Sequence, residues 1–274
     1  MAKANEQPLE AEFFKTLLVG DSGTGKTGAL LSLIQAGYNI RMLDFDNGAD
    51  TLVQLIKHYC PERLHQFDYI TIRDRFKADP IHGIKLDGSA KAYKDGIKYL
   101  NKWDDDSIPS EWGNDTIFVL DTLSSFGRAA FLWAQSLSPL SAGGKKADGR
   151  QWYGTAQDSI KMVLDLLTSK GFKCHVIVSS HVQLIELSEG VFKGQVSAIG
   201  KALGSDIPKV FNNMIQSDSI GTGDAVKRTL LTKSTGLMEN KTVIPWALDK
   251  KLPLETGLAT IFEKVTGRKP TDSK

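Results

Sequence analysis

Residues 20–27, "GDSGTGKT", meet the spacing G-x-x-x-x-G-K-[ST], and this stretch constrains the fold more than any other. The apolar run "FFKTLLV" (13–19) leads into it. "KTGALLSLIQAG" follows, with Leu30, Leu31 and Ile34 on one helical face and Gly37 as a natural C-terminal stop. A strand, a glycine loop and a helix are therefore expected in direct succession. Gly20, Gly23 and Gly25 let the backbone between Asp21, Ser22 and Thr24 curl until its N–H groups point inward. The helix then presents its positive N-terminal end to the same spot, and together they form a cradle for phosphate oxygens. In such a loop Lys26 reaches the β- and γ-phosphates and Thr27 binds Mg²⁺, so the expected ligand is Mg-ATP.

The rest of the chain alternates short β-rich runs with helical stretches, which predicts an α/β domain built on a mostly parallel sheet flanked by helices. Besides "KTLLVG" (15–20), the strand candidates are "NIRMLDFD" (39–46), "DYITIRD" (68–74), "TIFVLD" (116–121) and "CHVIVSS" (174–180). "QWYGTAQDSIKMVLDLLTSKG" (151–171) reads as a long amphipathic helix ending at Gly171. Residues 183–200 read as a hairpin turning at "SEG", and "NMIQSDSIG" and "VKRTLLTK" as two later strands. "SPLSAGGKKADGR" (138–150) has no periodicity and reads as an exposed loop.

Thirty-four Lys and Arg stand against 32 Asp and Glu, so attraction to nucleic acid has to come from a local patch rather than from overall charge. The charge is uneven, with "WDDDSIPSEWGND" (103–115) acidic and six Lys or Arg against three Asp between Val191 and Lys233. Cys60 and Cys174 have no cysteine neighbours and read as buried small hydrophobes. No run approaches the ~20 apolar residues of a membrane helix, and the expected location is the cytosol.

A phosphate cradle needs a carboxylate for the metal. "IFVLDT" supplies Asp121 after four apolar residues, a Walker B pattern. Hydrolysis also needs a group to orient the attacking water. Asp44 and Asp46 in "LDFD" share one face of their strand, with Phe45 on the other. After "CHVIVSS" stands His181, placed to sense the γ-phosphate; His58, His65, His82 and His175 show no metal-ligand spacing.

Gly20 to Thr27, then "LDFD", "IFVLDT" and a strand ending "SSH", resemble the RecA-like ATPases over roughly residues 12 to 235. More narrowly the chain looks like the short RecA-like nucleotide-binding proteins of bacteriophages, some of which act in single-strand recombination or annealing. The resemblance implies a sheet in which the sensor strand lies between the P-loop and Walker B strands, so that Lys26, Asp121 and His181 converge on one nucleotide. It implies Asp46 as catalytic base where the family commonly has a glutamate, and His181 as sensor. It implies binding of single-stranded DNA through two loops, carrying Lys145, Lys146 and Arg150 and, in 183–206, Lys193 and Lys201, with Trp152 and Phe192 able to stack on bases. It also implies a homo-oligomer, ring or filament, in which a basic residue reaches the neighbouring subunit's nucleotide. Arg228 is the first candidate for that finger, with Lys227 and Lys233 beside it. A phage-encoded chain of this kind would work in the host cytoplasm.

The expected organisation is a flexible N-terminus (1–12), a RecA-like ATPase domain (13–250) with an insertion around 75–114, and a C-terminal extension with a frayed tail (251–274). Two other classes fit a P-loop. A small-molecule kinase needs a lid rich in arginine, and the one lid candidate, 138–150, has a single arginine. A nucleotide-gated assembly scaffold needs only slow hydrolysis, which Asp46 in place of glutamate allows.

Overall fold

The computed structural model describes residues 12–81, 83–137 and 149–268. The chain opens with β1 (Lys15–Val19), passes through the glycine loop into two short consecutive helices, α1 (Lys26–Ala29) and α2 (Leu31–Gln35), and continues into β2 (Asn39–Asp44). Gly37, at φ 88°, makes the left-handed turn that ends the helical stretch. Next come α3 (Ala49–Tyr59), β3 (Phe67–Thr71), a hairpin of β4 (Phe76–Asp79) and β5 (Gly83–Leu86), and α4 (Ala92–Asn101). The central part holds β6 (Gly113–Asp121), α5 (Leu123–Leu137), α6 (Gly149–Thr168) and β7 (Cys174–Ser180). A second hairpin, β8 (Val182–Ser188) and β9 (Val191–Val196), turns at Glu189 and Gly190 as its sequence suggests. The chain ends with α7 (Lys201–Val210), β10 (Asn213–Ile220), β11 (Lys227–Leu231), β12 (Lys251–Pro253) and α8 (Leu254–Thr266).

Eight strands form one sheet in the order β12-β11-β10-β1-β7-β6-β2-β3. The six from β10 to β3 run parallel, and β11 and β12 add antiparallel at one edge. The sensor-candidate strand β7 lies between β1 and β6, the arrangement expected of a RecA-like P-loop fold. Buried on both faces, the central strands divide their residues by alternation. Leu17, Val19, Phe118, Leu120, Val176 and Val178 pack with Phe126 of α5 and Ile160 and Leu164 of α6. Leu18, Ile40, Met42, Ile117, Val119 and Ile177 pack with Leu33, Leu52 and Ile56 on the other side.

The stretch from 251, read in sequence as an extension, extends the sheet with β12 and lays α8 on its second face. Leu258, Ile261 and Phe262 are fully buried there. Between β3 and β6, where the sequence suggested an insertion, Tyr93, Leu100 and Trp103 join the first core. No helix among the described residues is long and apolar enough to cross a membrane.

Candidate nucleotide site

β1 delivers Gly20 to the C-terminal edge of the sheet, where a side chain does not fit. A Cβ on Gly20 would stand 2.5 Å from Ser217 O and 2.7 Å from Thr24 Oγ1. Gly25, at φ 95°, reverses the chain into α1. Thr24 Oγ1 donates to Asp21 O at 2.8 Å and Ser217 Oγ donates to Thr24 O at 2.8 Å, so the loop is braced from within and from β10. Lys26 Nζ curls back into the loop, donating to Gly20 O at 2.8 Å and Asp21 O at 2.9 Å. Lys26 is buried, and loss of hydration lowers its pKa, with the Asp121 carboxylate the strongest opposing charge.

Strand order then determines which carboxylates arrive. β7 ends beside β1 and β6 one strand further on, and Asp121 Oδ2 accepts from Thr27 Oγ1 at 2.8 Å while its other oxygen accepts from Ser179 Oγ. Burial pushes the Asp121 pKa up, opposed by the Ser179 and Thr27 hydrogen bonds. Asp44 and Asp46, grouped on one face by the sequence, divide in the structure. Asp44 is fully buried and accepts the backbone N–H groups of Asp46 (2.9 Å), Gly48 (3.1 Å) and Ala49 (3.2 Å), so it anchors the turn into α3. That turn swings Asp46 into the site. Its Oδ2 accepts from Thr122 Oγ1 at 2.9 Å and lies 3.2 Å from His181 Nε2, and its Oδ1 accepts from Ser125 Oγ. The His181 hydrogen bond, followed by those of Ser125 and Thr122, holds the Asp46 carboxyl down to about 2 against the opposing effect of burial.

His181 Nδ1 lies 3.4 Å from Lys26 Nζ, so the imidazole bridges the P-loop lysine and Asp46. Lys26, Thr27, Asp46, Asp121 and His181 all line one cleft of about 750 Å³, with Leu31, Leu55, Tyr59 and Leu254 as its apolar wall. Among the described residues no cluster of three or more His, Cys, Asp or Glu can hold a metal. A Mg²⁺ site of the P-loop kind does not need one, because phosphate oxygens and waters complete the octahedron. The residues present fit that group. Thr27 and Asp121 offer two hard oxygens to one point, and Gly48 leaves that point clear, since a Cβ there would stand 2.8 Å from Asp121 Oδ2.

Among the described residues, Arg228 alone of the expected DNA contacts and finger candidates lines this cleft. Arg228, expected to serve a neighbouring chain, sits on its own chain's loop, with Nε donating to Gly23 O at 3.0 Å, and lines the same cleft. Lys227 points to the other side of β11 by strand alternation. Lys145 and Lys146 lie outside the described residues, and Arg150 is in the first turn of α6. Lys193 pairs with Glu239 at 2.6 Å, and Lys201 opens α7. Trp152, expected as a stacking platform, instead packs half-buried against the first core, whereas Phe192 is 51% exposed on β9.

Sequence reasoning missed Gly48, Thr122, Ser125, Ser179 and the wall from α8. Hydroxyls next to the two strand-ending motifs were the available signal, because "DTLSS" and "VSSH" place them at the right edge. Residues 12–242 match the family model described as AAA domain. No curated protein matches the chain. Among solved structures, the chain is similar to the RadB recombinase, at 16% identity over 90% of both chains with TM-score 0.49. It is also similar to a KaiC-like protein from Pyrococcus horikoshii OT3, at 13% identity over 89% of this chain and 86% of that one with TM-score 0.48.

Proposed function

The chain belongs to the AAA domain family, and on that footing we propose that it binds Mg-ATP and hydrolyses it, acting on single-stranded DNA in phage-type recombination or replication. The observation that carries the reading is the convergence of Lys26, the Thr27–Asp121 pair and the Asp46–His181 pair in one cleft. The loop N–H groups and Lys26 bind the β- and γ-phosphates, and Thr27 and Asp121 hold Mg²⁺. Mg²⁺ held there would neutralise phosphate charge. Asp46 orients the attacking water and takes its proton. His181, touching both Lys26 and Asp46, senses whether a γ-phosphate occupies the loop.

Both Asp46 oxygens already accept hydrogen bonds that hold its carboxyl down to about 2 and leave it a weak base, so slow intrinsic turnover belongs to this reading. The same observation favours a second reading, an assembly scaffold gated by nucleotide with little hydrolysis. DNA binding is supported by the exposed Phe192 on the hairpin that begins directly after His181. In this reading the lysines of 138–150, with Lys201 and, once it exchanges Glu239 for DNA, Lys193, neutralise backbone phosphates without reading bases. Homo-oligomerisation on the strand, as ring or filament, belongs to this reading.

ATP hydrolysis by purified protein, with and without single-stranded DNA and with Lys26→Ala as the blank, tests it. Stimulation by DNA that vanishes in the variant is the expected result. ATP binding with neither stimulation nor DNA binding would sink the DNA-dependent ATPase and leave the scaffold.

A further inference from the structure

Arg228 is 205 residues from the loop carbonyl it touches. Two strand pairings bring it there. Val19 of β1 aligns with Gln216 of β10, and β10 aligns Ser219 with Arg228 of β11. The side chain then lies over the glycine loop. A Cβ on Gly25 would meet Arg228 Cδ at 3.0 Å and Leu254 Cδ2 at 2.6 Å, so β11 and the start of α8 close over the loop from one side.

A guanidinium has five N–H donors in a planar fork and no acceptor. Here Nε–H is used on Gly23 O, which fixes the plane of the fork. No ion pair among the described residues engages Arg228, although carboxylates neutralise Arg41 and Arg268 in the same molecule. The terminal NH₂ groups are thus available at the mouth of a cleft whose floor is the phosphate cradle. Planar, bidentate recognition of phosphate is the chemistry this geometry suits.

We propose that Arg228 binds the nucleotide's phosphate chain in cis, adding its guanidinium to Lys26 over the same chain's phosphate cradle. The inference rests on the ATP-binding reading above. Its consequence is that in any assembly on DNA Arg228 acts on its own chain's ATP rather than on a neighbour's.

The test uses full-length protein with Arg228→Ala, Arg228→Lys and Lys26→Ala. Arg228 is exposed, and thermal unfolding checks that each variant folds. ATP affinity is expected to fall at least about tenfold in Arg228→Ala, ~1.4 kcal/mol, with partial recovery in Arg228→Lys. Hydrolysis by an equimolar mixture of Arg228→Ala and Lys26→Ala is expected to equal the mean of the two separate rates. A finger acting in trans predicts the opposite, because a Lys26→Ala subunit would lend its Arg228 to an intact loop next door. Regain of activity on mixing, or wild-type ATP affinity in Arg228→Ala, overturns the inference while leaving ATP binding intact. Failure of the wild-type protein to bind ATP overturns the underlying reading and this inference with it.

Discussion

Gly48→Ala tests the metal-holding reading with the smallest available change. Gly48 precedes α3 at φ −77°, a conformation alanine adopts freely, so the backbone has no reason to move. The new methyl would stand 2.8 Å from Asp121 Oδ2 and 3.1 Å from Thr27 Oγ1, the two atoms assigned to Mg²⁺. Ordinary contact begins at 3.4 Å, so the carboxylate oxygen has to retreat by about 0.6 Å. It cannot do so freely. Asp121 is fixed at one oxygen by Ser179 and at the other by Thr27, and it is 2% exposed. Misplacement of about 1 Å in a reacting geometry costs on the order of 10²-fold, so a shift of this size predicts a loss of about tenfold to thirtyfold in kcat, ~1.4–2 kcal/mol of barrier. The assay is steady-state ATP hydrolysis across a Mg²⁺ titration, with ATP binding in EDTA and thermal unfolding measured in parallel. A higher Mg²⁺ requirement with near-wild-type metal-free binding and Tm is expected. Unchanged rate and Mg²⁺ dependence in a folded variant would refute the assignment of Thr27 and Asp121.

Asp46→Asn keeps the side chain's volume while removing its capacity to take a proton. Hydrolysis should fall by about 10²-fold or more with ATP affinity preserved, and a wild-type rate would remove Asp46 from the chemistry. His175 belongs to stability rather than to the site: it is 1% exposed, Nδ1 accepts from Phe14 N–H at 2.9 Å and Nε2 donates to Asn114 O at 2.9 Å, and burial draws its pKa from 6.5 down to about 4. The unfolded chain therefore takes up the proton first, and stability should decline by on the order of 3 kcal/mol as pH falls from about 6.5 through about 4; urea melts of His175→Gln with an equally steep decline would refute this.

The parts of the site that could be read in sequence are those whose signal is local. The P-loop is eight contiguous residues between a strand and a helix, and "IFVLD" carries its own burial and its own charge, so neither needs knowledge of distant partners. Asp44 and Asp46 show where local reading ends. Alternation gives both the same face, and only the turn decides between them, because three backbone N–H groups capture Asp44 and leave Asp46 to His181. Gly48 is silent in sequence for a related reason, since its importance lies in the space it leaves empty beside residues 21 and 73 positions away.

Distance along the chain also hides what closes the cleft. Leu254 stands in a segment that reads as an extension, yet β11 and β12 pair antiparallel at the sheet edge, with Leu230 facing Leu252, and carry α8 back toward the loop. The same edge decides the reach of Arg228. A one-residue slip of β11 against β10 would exchange the faces of Lys227 and Arg228 and point the guanidinium away from Gly23. The basic residue that stands over this chain's glycine loop is therefore selected by register rather than by motif, and burial of Leu230 in the second core maintains that register. Leu230→Lys, which buries a charge at that point, should loosen the edge and weaken ATP binding together, although Leu230 lines no part of the cleft.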